Sequence, residues 1–327
     1  MSVLLADRAV LDSPLDLITS QEGRMLGLRL RASSHARIRP GVYASRSGIE
    51  ALRSWERYAL RVHAFRRQHP SAILALESAA VLHGLPLFGE PLDIHVYDPE
   101  RPSSRRYGDV AVHTSRDALD VIEVSGVLLT SLEETVIGLA RVLPPAQALA
   151  VVDASVSHAD PNALDLRMLR ERAAAQQNRR GNARLRWLWE RADGASESPS
   201  ESVSRAVIEW SGFETPVLQR EYFYEGFHDR VDFSFPSCRA IGEADGWQKY
   251  ALADPAEAAR RLAKEKRRED RLRRNGHPFA RWELADAWRV EPLVRALRGA
   301  GLRPVRPRQA AFLASLSQRP REKPHFA

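Results

Sequence analysis

A single cysteine, Cys238, stands among 327 residues. That excludes a disulfide framework and any zinc site built from several thiolates. Long hydrophobic runs are missing too, and no window approaches the ~20 apolar residues that a membrane-spanning helix requires. The opening stretch, Met1-Ser2-Val3-Leu4-Leu5-Ala6-Asp7-Arg8, lacks the basic start and apolar run of a secretory leader. A cytoplasmic location without membrane contact is expected. His83, His95 and His113 fall on separate elements with no Asp, Glu or Cys at ligand spacing, so a metal role for them is not expected. Acidic residues are outnumbered, 42 against 49 Lys and Arg.

What is present is a globular composition, 44% hydrophobic and 28% charged. The length suffices for two domains of ordinary size. A formal charge of +7 and a pI of about 9.9 favour polyanionic partners, because phosphate contacts release counterions.

In the first half, Ser13-Pro14-Leu15-Asp16-Leu17-Ile18 suggests a short helix capped by Ser13. Arg37-Ile38-Arg39-Pro40-Gly41-Val42-Tyr43 suggests a hairpin that could act as a wing, with Arg37 and Arg39 toward phosphates. Apolar residues at helical spacing predict a basic helix over 51–68. A second helix is expected from Ser78 to Gly84, and a third after Thr130 or Ser131. Strands are predicted at 94–97, 110–113 and 121–124. A helix pair over 165–192, interrupted near 178–182, leads to the turn-forming stretch at 192–199, the best linker in the chain.

Beyond that linker, Ser198 caps a helix with Pro199 in its first turn, carrying Glu201 and Arg205. Arg230–Pro236 and Ala240–Gly246 read as strands joined by a short turn. Alternation places Glu243 and Asp245 on one face, and pairing of the two strands brings Asp232 near both. Converging carboxylates of this kind suit a hard cation such as Mg²⁺. Residues 258–274 form the densest basic stretch, a helix whose exposed Lys264, Lys266, Arg267 and Arg271 could follow a phosphate backbone. A short helix at 293–297 precedes a Pro/Arg-rich tail, 300–327, expected to be mobile.

The set Glu201, Asp232, Glu243, with Ser196–Ser202, Glu243-Ala244-Asp245-Gly246, Lys264–Arg273, Gly276 and Arg281-Trp282, resembles the PD-(D/E)xK nuclease superfamily, in particular its short-patch-repair-like branch. The resemblance implies a restriction-endonuclease-like α/β domain over about 196–290. It implies DNA hydrolysis with Mg²⁺ on Asp232 and Glu243, assisted by Glu201 and Asp245. One departure stands out: the superfamily's lysine slot holds Asp245. Lys249 is the first substitute, ahead of Lys266 and Arg205, and the relatives it most resembles commonly lack that lysine.

Arg39–Tyr43, the Ala79-Ala80…His83-Gly84-Leu85 helix and Thr130–Thr135 resemble the abortive-infection (AbiEi-type) antitoxin family of type IV toxin–antitoxin systems. That resemblance implies an α+β region over 51–192 behind a degenerate winged-helix-like segment at 1–50, promoter DNA binding and a partner toxin. The expected protein is therefore α/β, a winged-helix-like or antitoxin-like α+β region followed by the restriction-endonuclease-like domain. Three functions remain open: a metal-dependent endonuclease, a non-catalytic antitoxin-like regulator that keeps the nuclease fold as scaffold, and a protein-interaction module.

Overall fold

The computed structural model describes residues 3–5, 11–245, 255–318 and 321. The elements run β1 (Val3–Leu5), β2 (Ile18–Thr19), α1 (Ser20–Met25), β3 (His35–Arg39), β4 (Val42–Ser45), α2 (Arg46–Ala51), α3 (Ser54–Gln68), β5 (Ile73–Leu74) and α4 (Leu76–Leu82). There follow β6 (Ile94–Tyr97), β7 (Arg105–Tyr107), β8 (Val110–His113), β9 (Val121–Val124), β10 (Val127–Thr130), α5 (Leu132–Val142), α6 (Pro145–Ser155), α7 (Leu166–Ala175) and α8 (Asn182–Arg191). The last are α9 (Pro199–Trp210), β11 (Val217–Tyr224), β12 (Phe227–Phe235), β13 (Ala240–Asp245), α10 (Pro255–Arg274), β14 (Phe279–Glu283), α11 (Leu284–Arg289), α12 (Glu291–Gly299) and α13 (Ala310–Ser315). The protein is a mixed α/β chain with three sheets.

It divides into two units. Unit 1 takes residues 1–143, 164–189 and 319–327, and unit 2 takes 144–163 and 190–318. This division differs from the linear boundaries expected from composition: α6 leaves its sequence neighbours to join unit 2, and Arg321 belongs to unit 1. No helix among the described residues is long and apolar enough to cross a membrane.

Unit 1 is built on a mixed sheet of order β1-β9-β10-β5-β6-β8-β7. Tyr58 and Val62 of α3, Leu82 of α4, and Leu74, Ile94 and Leu129 from the sheet form its core. Ser125 and Gly126 turn β9 into β10 with φ of +50° and +71°, the left-handed pair that matches the twist of a two-residue hairpin. A smaller antiparallel sheet, β2-β4-β3, contains the expected Pro40–Gly41 hairpin. The helix expected at Ser13–Ile18 is absent. Ser13 Oγ donates to Leu15 O at 2.7 Å, and the helix starts only at Ser20. There Thr19 accepts from Glu22 N while the Glu22 carboxylate accepts from Thr19 N, a reciprocal cap stronger than the Ser13-Pro14 signal.

Unit 2 packs α9 and α10 on a four-stranded sheet of order β11-β12-β13-β14. β11, β12 and β13 form an antiparallel meander, and β14 runs parallel to β13. Trp282 of β14 donates from Nε1 to Ser204 Oγ of α9 at 2.8 Å. Its ring lies so close over Gly242 that a Cβ there would stand 2.6 Å from Trp282 Cη2. α6 packs against α9, where Asp153 Oδ2 accepts from Arg205 Nη2 at 2.6 Å. Within the tail expected to be mobile, residues near 305–316 pack in unit 2. Val305 N and Arg306 N donate to Gly212 O, and Phe312 stacks on Trp210 at 5.2 Å. Apolar residues at 310–316, hidden in a Pro/Arg-rich context, account for this.

Candidate functional site

The helix acid is placed by its own cap. Ser198 Oγ accepts from Glu201 N at 3.2 Å and donates to Glu201 Oε1 at 2.7 Å. Glu201 Oε2 accepts from Glu197 N and from Gln219 Nε2, both at 3.0 Å. Burial, then the charge of Asp232, holds the Glu201 carboxyl above its ordinary value, against the pull of these three donors.

Asp232 sits where β12 changes sides. Val231 packs with Leu272 of α10, whereas Phe233 lies 5.5 Å from Trp282 on the α9 side. Strict alternation would put Val231 and Phe233 on one face. The pairing of β11 with β12 skips Gln219 and Asp232, and Gln219 has φ +49°. That left-handed backbone costs about 1 kcal/mol at a non-glycine residue, and Gln219's bond to Glu201 helps offset it. Asp232 Oδ2 accepts from Ala244 N at 3.0 Å. The helix acid and first strand acid are thus neighbours, and the second strand acid lies one residue before Ala244 on β13.

Glu243 and Asp245 share a face, as alternation expected, but that face is met by arginines. Arg268 Nη2 of α10 lies 3.0 Å from Glu243 Oε2, whose side chain is 1% exposed. Arg281, the β14 register partner of Glu243, places Nε 3.5 Å from Asp245 Oδ2. The same guanidinium reaches Glu265 at 3.1 Å and Glu269 at 3.5 Å. Burial lowers the Arg281 pKa, but Asp245, Glu265, Glu269 and Glu243 outweigh it and raise the value. Among the described residues no group of three or more His, Cys, Asp or Glu could hold a metal ion. As arranged, Glu243 and Asp245 do not fit Mg²⁺, because guanidinium groups already lie against both; Asp232 accepts from the Ala244 N–H, and Glu201 is committed to three donors. Lys249, the expected lysine substitute, lies outside the described residues.

The expected phosphate-binding residues fall into two groups. Arg37, Lys264, Lys266 and Arg267 are exposed. The others serve the fold: Arg39 forks onto Asp109 at 2.8 and 3.1 Å, Arg205 pairs with Asp153, and Arg271 forks onto Asp229 at 2.8 and 2.7 Å. All three are engaged by acids of the fold, Asp153 and Asp229 buried and Asp109 half-exposed, and a phosphate would have to compete with those carboxylates. The sequence reading gave Arg268 and Gln219 no role of their own, and Arg281 entered only as part of the Arg281-Trp282 pair in the nuclease resemblance. Glu265, Arg268, Glu269 and Leu272 at i, i+3, i+4 and i+7 gave the one available signal, an inward face containing charges. A cavity of about 370 Å³ beside the start of α9, lined in part by Ala150, Pro161, Glu197 and Ser202, includes none of the strand acids.

Two proteins of Mycobacterium tuberculosis, the uncharacterized proteins MT2308 of strain CDC 1551 and Rv2248 of strain H37Rv, are each 34% identical to the chain over 194 residues, 58% of this chain and 67% of theirs. The chain belongs to their family. Neither relative's name states an activity, so membership assigns none. No family model matches the chain, and no solved structure does.

Proposed function

We propose that this is a cytoplasmic DNA-binding protein of the antitoxin-like regulator kind, in which a restriction-endonuclease-like unit 2 is retained as a scaffold. The two faces of α10 carry this reading. Its inner face, Glu265, Arg268, Glu269 and Leu272, closes over the strand acids, while Lys264, Lys266 and Arg267 point outward as cations able to follow a phosphate backbone. The β3–β4 hairpin with exposed Arg37 adds a second cationic element, in keeping with a reduced winged-helix-like segment.

The test is fluorescence anisotropy on short duplexes across a salt series, with and without Mg²⁺, for wild type and Lys264→Ala/Lys266→Ala/Arg267→Ala. Binding should persist in EDTA and weaken as salt rises. The triple variant should flatten the log K against log salt slope by about 0.9 for each phosphate that it no longer neutralises. Binding that ignores salt would overturn the reading in favour of a protein-interaction module.

One observation favours the second reading, a Mg²⁺-dependent endonuclease: Glu201 and Asp232, the helix and first strand acids, are close enough for one to shift the other's pKa. Hydrolysis there would require Arg268 and Arg281 to leave Glu243 and Asp245. Plasmid nicking that needs Mg²⁺ or Mn²⁺ and disappears in Asp232→Ala/Glu243→Ala would establish it. The partner toxin implied by the antitoxin resemblance would be a protein that co-purifies with the wild type and relieves or reinforces its DNA binding.

A further inference from the structure

Unit 1 contains a buried polar cluster that DNA binding does not use. Glu77 on α4 has a side chain 2% exposed, and Arg321 forks onto it from 244 residues further along the chain. Arg321 Nε donates to Glu77 Oε1, and Nη2 donates to Oε2 at 2.8 Å. Arg321 O accepts from Leu92 N at 2.7 Å, so both the side chain and the backbone of this one residue are recognised. His95 Nε2 stands 3.3 Å from Glu77 Oε2, and His95 Nδ1 is bonded to His113 Nε2 at 2.8 Å. Ser78 Oγ accepts from His95 N and shares a hydrogen bond with Tyr58 OH, fixing the strand behind the carboxylate.

Burial, then the positive charges of Arg321 and Arg106 with His113, brings His95 down to about 4, against the pull of Glu77. His95 is therefore uncharged at neutral pH and leaves the carboxylate to the guanidinium. Burial raises Glu77, but His95, protonated in the acid range where this carboxyl titrates, and Arg321 outweigh it and hold the carboxyl well below the usual range. A planar fork on a fixed carboxylate selects a guanidinium over an ammonium. The Arg321 side chain remains 24% exposed, so the site opens to solvent.

We propose that Glu77, His95 and the Leu92 amide form an arginine-recognition site in unit 1, that Arg321 is its exchangeable resident, and that an arginine side chain of another polypeptide takes its place. An intramolecular occupant acts at millimolar effective concentration, so it masks the site without closing it permanently.

The experiment titrates full-length wild type, Arg321→Ala and Glu77→Gln/Arg321→Ala with N-acetyl-arginine amide, and with N-acetyl-lysine amide as control, by calorimetry near neutral pH. Arg321→Ala should bind the arginine probe at least tenfold more tightly than wild type. It should bind the lysine probe at least tenfold more weakly than the arginine probe, and the double variant should lose binding. Equal binding to wild type and Arg321→Ala, no discrimination against lysine, or no loss on changing Glu77 would overturn the proposal. Arg321→Lys keeps the charge without the fork and provides the second vacated form. Failure of both single variants to fold would make Arg321 a structural staple and overturn the exchangeable role.

Discussion

Replacing Arg268 with alanine tests directly whether the strand acids are held by arginine rather than prepared for a metal. The guanidinium sits 3.0 Å from a carboxylate that is 1% exposed and is itself 22% exposed. Removing one partner of a buried pair costs about 3–5 kcal/mol, and the partial access of water to Arg268 places the expected loss near ~3 kcal/mol. For a unit of about 150 residues that corresponds to a fall in Tm of roughly 10 °C. Wild type, Arg268→Ala, Glu243→Gln and the double variant would be unfolded in urea at about pH 7.5 and about pH 5.5, followed by tryptophan fluorescence. The double variant should lose less than the sum of the single variants, because it leaves no buried charge. The Arg268→Ala deficit should shrink at the lower pH, since a carboxyl deprived of its cation takes up a proton more readily and its neutral form is easier to bury. A loss below about 1 kcal/mol that does not change with pH, set against the ~3 kcal/mol expected for a buried pair, would refute the reasoning. So would a Mg²⁺-induced rise in wild-type stability that vanishes in Glu243→Gln.

Three further outcomes follow from the geometry. Gly242→Ala should destabilise unit 2 by about 1–3 kcal/mol, since the new Cβ meets the Trp282 ring; urea unfolding showing less than about 0.5 kcal/mol would mean the ring moves aside without strain. Glu201 has its pKa raised on folding, so its contribution to stability is present at low pH and is lost as pH rises through the folded value. Wild type should therefore gain stability relative to Glu201→Gln as pH falls from about 7 to about 5, and a flat difference across a pH series of unfolding curves would contradict this. Arg271→Ala strands the buried Asp229 and should lower stability by about 3 kcal/mol while leaving the salt slope of DNA binding unchanged. A flattened slope in that variant would return Arg271 to the interface.

The legible parts of this chain were those encoded by neighbours in sequence. Ser198-Pro199 announced α9, Pro40-Gly41 announced the β3–β4 hairpin, and Ser131 announced α5 through its bond to Glu134 N. The positions of Glu201, Asp232 and Glu243 on a helix and two paired strands were also readable, because period-2 alternation and a short turn suffice for them. What could not be read was which cation meets which acid. Arg205, Arg271 and Arg39 look from sequence like Lys264 or Arg267, yet each is matched to an acid between 42 and 70 residues away. The break in alternation at Asp232 was equally hidden, since it depends on the backbone of Gln219 on the next strand.

The threading of the chain between its two units has a consequence for synthesis. α6 emerges from the ribosome more than forty residues before α9, the helix it packs on, and Asp153 must wait for Arg205. Unit 1 in turn receives the Arg321 side chain only after all of unit 2 has been made. Neither half can therefore mature strictly ahead of the other, and the usual order in which an N-terminal domain folds first is unavailable. A fragment begun at the polar linker near 196 would lack α6 and bury nothing against that side of α9. A form of unit 2 that keeps α6 needs an internal deletion, with residues 144–163 spliced onto 190–318.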